Sequence, residues 1–214
     1  AFAETVNLAS MHEEMLEISG PVRTMGYNSP SVRPENRYFE VQIPVRVAAP
    51  ARTLVDFTAK GAADAWSVVN DVVMGGRSSA EMRATGNGTC EFIGDLSLAN
   101  GGGFASVRRG LSDGDMGEVE SLLLRFRGDG NTYKLLLRMT GEFEGMSYQA
   151  SFATEEGEWA EFEFAPDEFV PKWRGRPVPE APPLQMLRVE SVGLMIADGQ
   201  EGRFRLELTE LLVR

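Results

Sequence analysis

The chain has 214 residues, 43% of them hydrophobic and 25% charged, with a formal net charge of −11. That length fits one sizeable domain plus an extension, and a domain of this size buries about 70% of its unfolded surface. The charge argues against nucleic acid as a partner, because phosphate binding needs a basic face that releases counterions. No apolar run approaches the ~20 residues of a spanning helix. His12 and Cys90 are the only histidine and cysteine. They leave no intramolecular disulfide, no thiolate or histidine-rich metal cluster, and no Ser–His–Asp or Cys–His arrangement in the main domain. No catalytic residue, metal ligand or cofactor is expected.

Residues 1–50 differ in pattern from the rest of the chain. Ala1, Phe2 and Ala3 form the Ala-x-Ala pattern that signal-type peptidases read during export to a periplasm or, by resemblance, into a thylakoid lumen. Over 7–18, Leu8, Met11, Met15 and Ile18 lie on one stripe and predict a short helix, with Ser10 and Glu13 as a capping box and Gly20 and Pro21 as its end. Residues 28–36 read as irregular. Over 38–47, Phe39, Val41, Ile43 and Val45 alternate with polar residues, and Pro44 makes this an edge strand or extended arm. Residues 48–51 read as a hinge, and the domain is expected over 51–214.

From Thr53 onward short period-two segments are separated by turn residues. Strands are predicted at 54–57, 80–83, 90–98, 104–108, 121–127, 133–139, 147–152, 159–164, 189–196 and 204–208. Gly128, Asp129, Gly130 and Asn131 predict a tight hairpin between two of them. The Pro-rich stretch 166–183 reads as a long loop, docked or functional. So many short strands with almost no helical pattern predict an all-β antiparallel sandwich of jelly-roll type, preceded by a short N-terminal helix and arm.

Asp71, Asp95, Asp129 and Asp198 are the candidate carboxylates for acid–base chemistry of the glycosidase kind. Each sits beside glycine or at a strand end, where aspartate braces backbone amides. Asp71 and Asp129 are the strongest pair, and as turn braces they are expected to tolerate asparagine. Gly76 and Gly102 are expected to be structural through positive φ. Gly101–Gly103 and Gly128–Gly130 lack the helix and Lys-Ser/Thr of phosphate or dinucleotide loops. Arg108 with Arg109, Arg125 with Arg127, and Arg174 with Arg176 are paired cations that suit solvated strand faces or a grip on a partner's carboxylates. Trp66 suits the core, while Trp173 in the Pro-rich stretch suits an interface anchor. Trp159 completes the set that a sugar-stacking platform requires.

Trp66, Asn70, Asp71 and Met74 through Ser79 form an opening motif. Phe92 to Gly94, Leu96 to Leu98 and Asn100 to Arg108 form a second, and Arg127 to Gly130 with Tyr133 and Lys134 a third. Tyr148 to Phe152, Phe169 to Pro171, Arg174 to Arg176 and Gly193 to Asp198 come next in order. This series resembles the complex I intermediate-associated protein family over residues 54–214. The resemblance implies a galactose-binding-like sandwich and a non-enzymatic assembly factor or accessory subunit of a membrane electron-transfer complex, respiratory complex I or a photosystem. It implies a peripheral protein of the mitochondrion or thylakoid that binds subunits of that complex. The candidate partner contacts are Met11, Met15, Arg125, Arg127, Trp173, Arg174 and Arg176. A carbohydrate-binding module, or a carboxylate-dependent enzyme, is the alternative.

Overall fold

A computed structural model of the chain describes residues 14–18, 41–45, 50–71, 75–112, 114–139 and 145–214. The chain divides into two compact units, Ala1–Ala49 and Pro50–Arg214. In the first, β1 (Glu14–Ile18) pairs antiparallel with β2 (Val41–Val45), setting Glu14 opposite Val45 and Ile18 opposite Val41. The helix expected over 7–18 is thus corrected where the structure describes it. A helix of that length is marginal alone, and pairing with β2 gives the backbone amides of β1 other partners. Met15 lies in this strand opposite Pro44; Met11 and His12 lie outside the described residues.

The second unit is built from β3 (Arg52–Asp56), β4 (Ser67–Val68), β5 (Ser79–Ala84), β6 (Cys90–Leu96), β7 (Ala105–Gly110), β8 (Leu122–Arg127), β9 (Thr132–Met139), β10 (Met146–Ala153), β11 (Trp159–Phe164), β12 (Val170–Trp173), β13 (Arg176–Pro177), β14 (Val189–Ile196) and β15 (Gly202–Val213). A seven-stranded sheet runs β13-β12-β10-β9-β14-β7-β4. A six-stranded sheet runs β11-β8-β15-β6-β5, with β3 also paired to β15. All these pairings are antiparallel. This is the expected β-sandwich.

Alternation decides which residues meet between the sheets. Leu122, Leu124 and Phe126 of β8 are buried, as are Tyr133, Leu135 and Leu137 of β9 and Tyr148, Ala150 and Phe152 of β10. Phe152 is central, with ring centroids 4.9 Å from Phe126, 5.7 Å from Phe164 and 6.0 Å from Tyr133. Aromatic pairs at such separations add to the gain from burial. Cys90 is buried, and its thiol, pushed up by burial and then by Asp56 and Asp64, donates to the Phe57 carbonyl at 3.1 Å.

Three sequence expectations are corrected by the topology. Gly128–Asn131 makes no hairpin, because β8 and β9 belong to different sheets. Its bonds go elsewhere: Asp129 accepts from the Asn131 backbone at 3.1 Å, the Tyr133 hydroxyl at 3.0 Å and the Arg205 backbone at 2.6 Å. The Pro-rich stretch holds the β12–β13 hairpin, in which Trp173 faces Arg176. Its two turn residues, Arg174 and Gly175, have φ of 49° and 76°, the left-handed pair of a type I′ turn. The last strand is twelve residues long, and β6 and β3 lie end to end along one of its edges, on Gly202–Leu208 and Glu210–Val213.

Both sheets and their buried core come from Pro50–Arg214. A chain lacking residues 1–49 is therefore expected to unfold in one cooperative thermal transition. A broad, non-cooperative melt, read by circular dichroism, is the contrary result.

Candidate functional site

The glycine-rich motifs occupy two crossings between the sheets. Residues 69–78 pass from β4 in the seven-stranded sheet to β5 in the six-stranded one, and residues 97–104 return from β6 to β7. Asp71 joins them. Its carboxylate is 1% exposed. It accepts the Ser78 amide at 3.0 Å and hydroxyl at 2.6 Å from one crossing, and the Gly103 and Phe104 amides at 2.7 and 3.4 Å from the other. Ser78 carries the tie onward, its hydroxyl oxygen accepting the Ser97 amide at 3.0 Å. Beside it Asn70 accepts the Ser106 amide at 3.2 Å, and Asn100 donates to the Gly75 carbonyl at 3.3 Å.

The glycines serve this clasp by leaving room. A Cβ on Gly76 would lie 2.3 Å from the Asp71 carboxyl carbon, and one on Gly102 would lie 2.6 Å from its Oδ2. Gly102 has φ of −67°, so close approach, not positive φ, is what requires glycine there. Burial pushes the Asp71 carboxyl up. The Ser78 hydroxyl and the Gly103, Ser78 and Phe104 amides outweigh it and hold the group below the ordinary carboxylate range. A carboxylate saturated by donors and sealed from solvent is poorly suited to proton transfer.

The other candidate carboxylates are not brought to it. Asp129 braces the β8–β9 crossing and, among the described residues, shares no hydrogen-bond partner with Asp71. Asp95 is exposed on β6, and Asp198, at φ 63°, pairs with Lys134 at 2.6 Å.

Arg125 and Arg127 project, as expected, to the face opposite Leu122 and Leu124. Their charges are already matched. Arg125 pairs with Glu161 at 2.5 Å and Glu210 at 2.8 Å, and Arg127 donates to Glu207 at 3.0 Å. One cross-strand row reads Trp159, Arg127, Glu207, Glu91, Arg83 from β11 to β5. The adjacent glutamates, both buried, would repel, and Arg127, Arg83 and Arg205 offset this. Burial pushes the Glu207 carboxyl up, but the Thr89 hydroxyl and Arg127 bring it below its ordinary range. The paired cations of this face hold the sheet together.

Trp66 is buried against Phe57, with centroids 5.4 Å apart. Trp159 and Trp173 are 48% and 45% exposed, but a guanidinium covers each ring, that of Arg127 at 5.4 Å and that of Arg174 at 4.8 Å. The three indoles therefore form no shared platform for sugar rings. Trp173, Arg174 and Arg176 do cluster on the β12–β13 hairpin, at the edge of the seven-stranded sheet. The sequence pattern did not single out Arg138. Its only signal was an arginine within an apolar strand, and the structure sets it on the outward face of that sheet, donating to the Met146 carbonyl at 2.7 Å.

Two antiparallel sheets packed face to face, with a hydrogen-bonded clasp between their crossings, define the fold class as a β-sandwich. The chain is similar to the family 11 carbohydrate-binding module from Clostridium thermocellum solved in complex with a beta-1,3-1,4-mixed-linked tetrasaccharide. That likeness has a TM-score of 0.58 and 17% identity over 76% of this chain and 95% of that one. A second structure, the family 11 module of the cellulosomal cellulase Lic26A-Cel5E of Clostridium thermocellum, matches at a TM-score of 0.59 and 17% identity, over 78% and 95% of the two chains. At such identity the likeness establishes the fold. The sequence model of Complex I intermediate-associated protein 30 matches residues 55–208, and the chain belongs to that family. Complex I intermediate-associated protein 30, mitochondrial, of Mus musculus is 26% identical over 178 residues, 74% of this chain and 54% of that protein. The chain thus spans about half the length of this curated relative.

The clasp sets its own tests. Asp71→Asn places an amide nitrogen among donors and is expected to cost about 2 kcal/mol or more, measured by urea unfolding, contrary to the tolerance expected from sequence. Gly102→Val is expected to destabilise comparably by steric overlap. For pH, Asp71 and Glu207 have folded pKa values below their unfolded ones, so the unfolded chain takes up protons first. Their contribution is complete above the unfolded values and is lost as pH falls from about 4 through the folded ones. The thermal midpoint is expected to drop across that window, and less steeply in Asp71→Asn.

Proposed function

We propose that this protein is a non-enzymatic assembly factor or accessory subunit of a membrane electron-transfer complex of the complex I type, acting by binding protein subunits. The observation that carries this reading is family membership over residues 55–208. Its supporting counterpart is that the most distinctive motif residues, Asp71, Ser78, Gly102 and Gly103, serve the clasp. No helix among the described residues is long and apolar enough to cross a membrane, in keeping with a peripheral role. The mouse relative is named as mitochondrial, and we propose the mitochondrion over the thylakoid.

The β12–β13 hairpin is the proposed contact. It joins an exposed Trp173, an exposed Val170 and the cations Arg174 and Arg176, the residue types that dominate interface energetics. Met11 and Met15 remain proposed contacts of the first unit, where methionine adapts to apolar partners. Arg125 and Arg127 are proposed only as supports of their own sheet. The tagged chain is expected to co-purify with complex I subunits from detergent-solubilised mitochondrial membranes. Trp173→Ala is expected to reduce recovery several-fold while shifting stability by no more than about 0.5 kcal/mol. Equal recovery from both chains would remove the hairpin from the interface; no recovery from either would remove the function.

The fold likeness to carbohydrate-binding modules favours a second reading, glycan binding. A thermal-shift screen against mixed-linked glucan oligosaccharides separates the two, since a ligand held by the folded state raises its midpoint.

A further inference from the structure

Charge is divided unequally between the two sheets. The strands of the seven-stranded sheet carry Arg108, Arg109, Lys134, Arg138, Lys172 and Arg176 against one acidic residue, Glu190. This is the reverse of a chain whose net charge is −11. Register resolves the pattern on the face turned from the core. One cross-strand row reads Arg108, Gly193, Leu136, Gln149, Val170 from β7 to β12. In the next, Ser191 faces Arg138 and Ser147 faces Lys172. No aromatic ring lies on these rows, because Tyr133, Tyr148 and Phe152 alternate into the core.

Among the described residues neither Arg108 nor Lys172 has an ion pair or a side-chain hydrogen bond, whereas Lys134 is matched by Asp198. Burial, then the positive charge of Arg108, disfavours the Arg138 cation, with Glu190 opposing. These guanidiniums are therefore close enough to repel. Gly193 lies between Arg108 and Leu136, and a Cβ there would lie 3.3 Å from the Leu136 side chain. On the far side of Leu136, Gln149 is 9% exposed, donates to the Ser147 hydroxyl at 3.0 Å, and has a buried Oε1 with no partner among the described residues.

We propose that the outward face of the seven-stranded sheet docks an extended acidic segment of a partner polypeptide, with its carboxylates on Arg108, Arg138 and Lys172. This deepens the protein-binding reading and rests on it. Adjacent strands lie about 4.8 Å apart, so β7 to β9 and β9 to β12, two steps each, set the cations at intervals of roughly 10 Å across the sheet. In the polyproline II conformation an extended chain has three residues per turn and rises about 3.1 Å per residue, so every third side chain points the same way and meets successive cations at roughly 10 Å intervals. Peptide carboxylates match the unpaired guanidinium. A neutral glycan finds no ring to stack on here.

The test uses the full 214-residue chain and a fluorescein-labelled peptide of repeated Gly-Ser-Glu, read by anisotropy. Saturable binding is expected, weakened by raised salt and absent for the Gly-Ser-Lys counterpart. Arg108→Ala with Lys172→Ala is expected to weaken it about tenfold or more, with an unchanged thermal midpoint. Arg108→Lys with Lys172→Arg, which keeps both charges, is expected to retain most of the binding and guards against a folding defect. Absence of binding, equal binding by the alanine double variant, or preference for the glucan tetrasaccharide or an oligonucleotide overturns the proposal. If peptide binding fails while complex I subunits still co-purify, this face is wrong and the assembly role stands; if both fail, the parent reading falls with it.

Discussion

One buried carboxylate organises the fold. Asp71 receives hydrogen bonds from both glycine-rich segments, 69–78 and 97–104, that pass between the sheets. A sandwich gains most of its stability from apolar area between its layers, but that attraction is non-directional. It does not specify how far one sheet slides over the other. Charge-assisted hydrogen bonds depend strongly on geometry, and here they tie the β4–β5 and β6–β7 crossings at fixed separation. The buried charge is tolerable because each of its oxygens is occupied. Gly76 and Gly102 follow from that constraint, since a side chain on either would meet the carboxylate.

The two sheets use their polar faces differently. On the six-stranded sheet, arginine and glutamate meet in cross-strand rows, and the buried pair Glu91 and Glu207 is balanced by three guanidiniums. That face is electrostatically closed. On the seven-stranded sheet, cations outnumber acids and a buried amide oxygen has no partner among the described residues. Net charge hides this division, because an acidic total coexists with one basic face. It is the distribution that carries information about partners.

A strand whose pairing was uninterrupted was legible to the residue, as in β11. Where pairing slips, the pattern slips with it. Leu206 and Leu208 point inward, but a bulge between Leu208 and Glu210 resets the phase so that Leu211 and Val213 take over the inward positions. Legibility ended where the period broke. The β12–β13 hairpin was hidden by its prolines, and Gly128–Asn131 has a composition that suits a hairpin and an inter-sheet crossing equally. Motif membership of Asp71 was legible, but its role was not. The Gly103 amide that decides it lies 32 positions away, and no local pattern encodes that distance. The same holds for Arg127, whose partner Glu207 is 80 positions on.

The long strand β15 sets the order in which this domain is able to form. It lies within the six-stranded sheet, flanked by β8 on one side and by β6 and β3 on the other. Before residues 202–213 join, β8 with β11 and β5 with β6 are isolated two-stranded pieces, which are marginal in water, and β3 has no strand partner. Closing the sheet therefore means bringing together segments separated by most of the domain, a contact pattern associated with slow folding. Until then the apolar faces of both layers stay open to chaperones and to aggregation. A chain emerging from a ribosome, or threading through a translocation pore, remains without its sandwich until this last strand arrives.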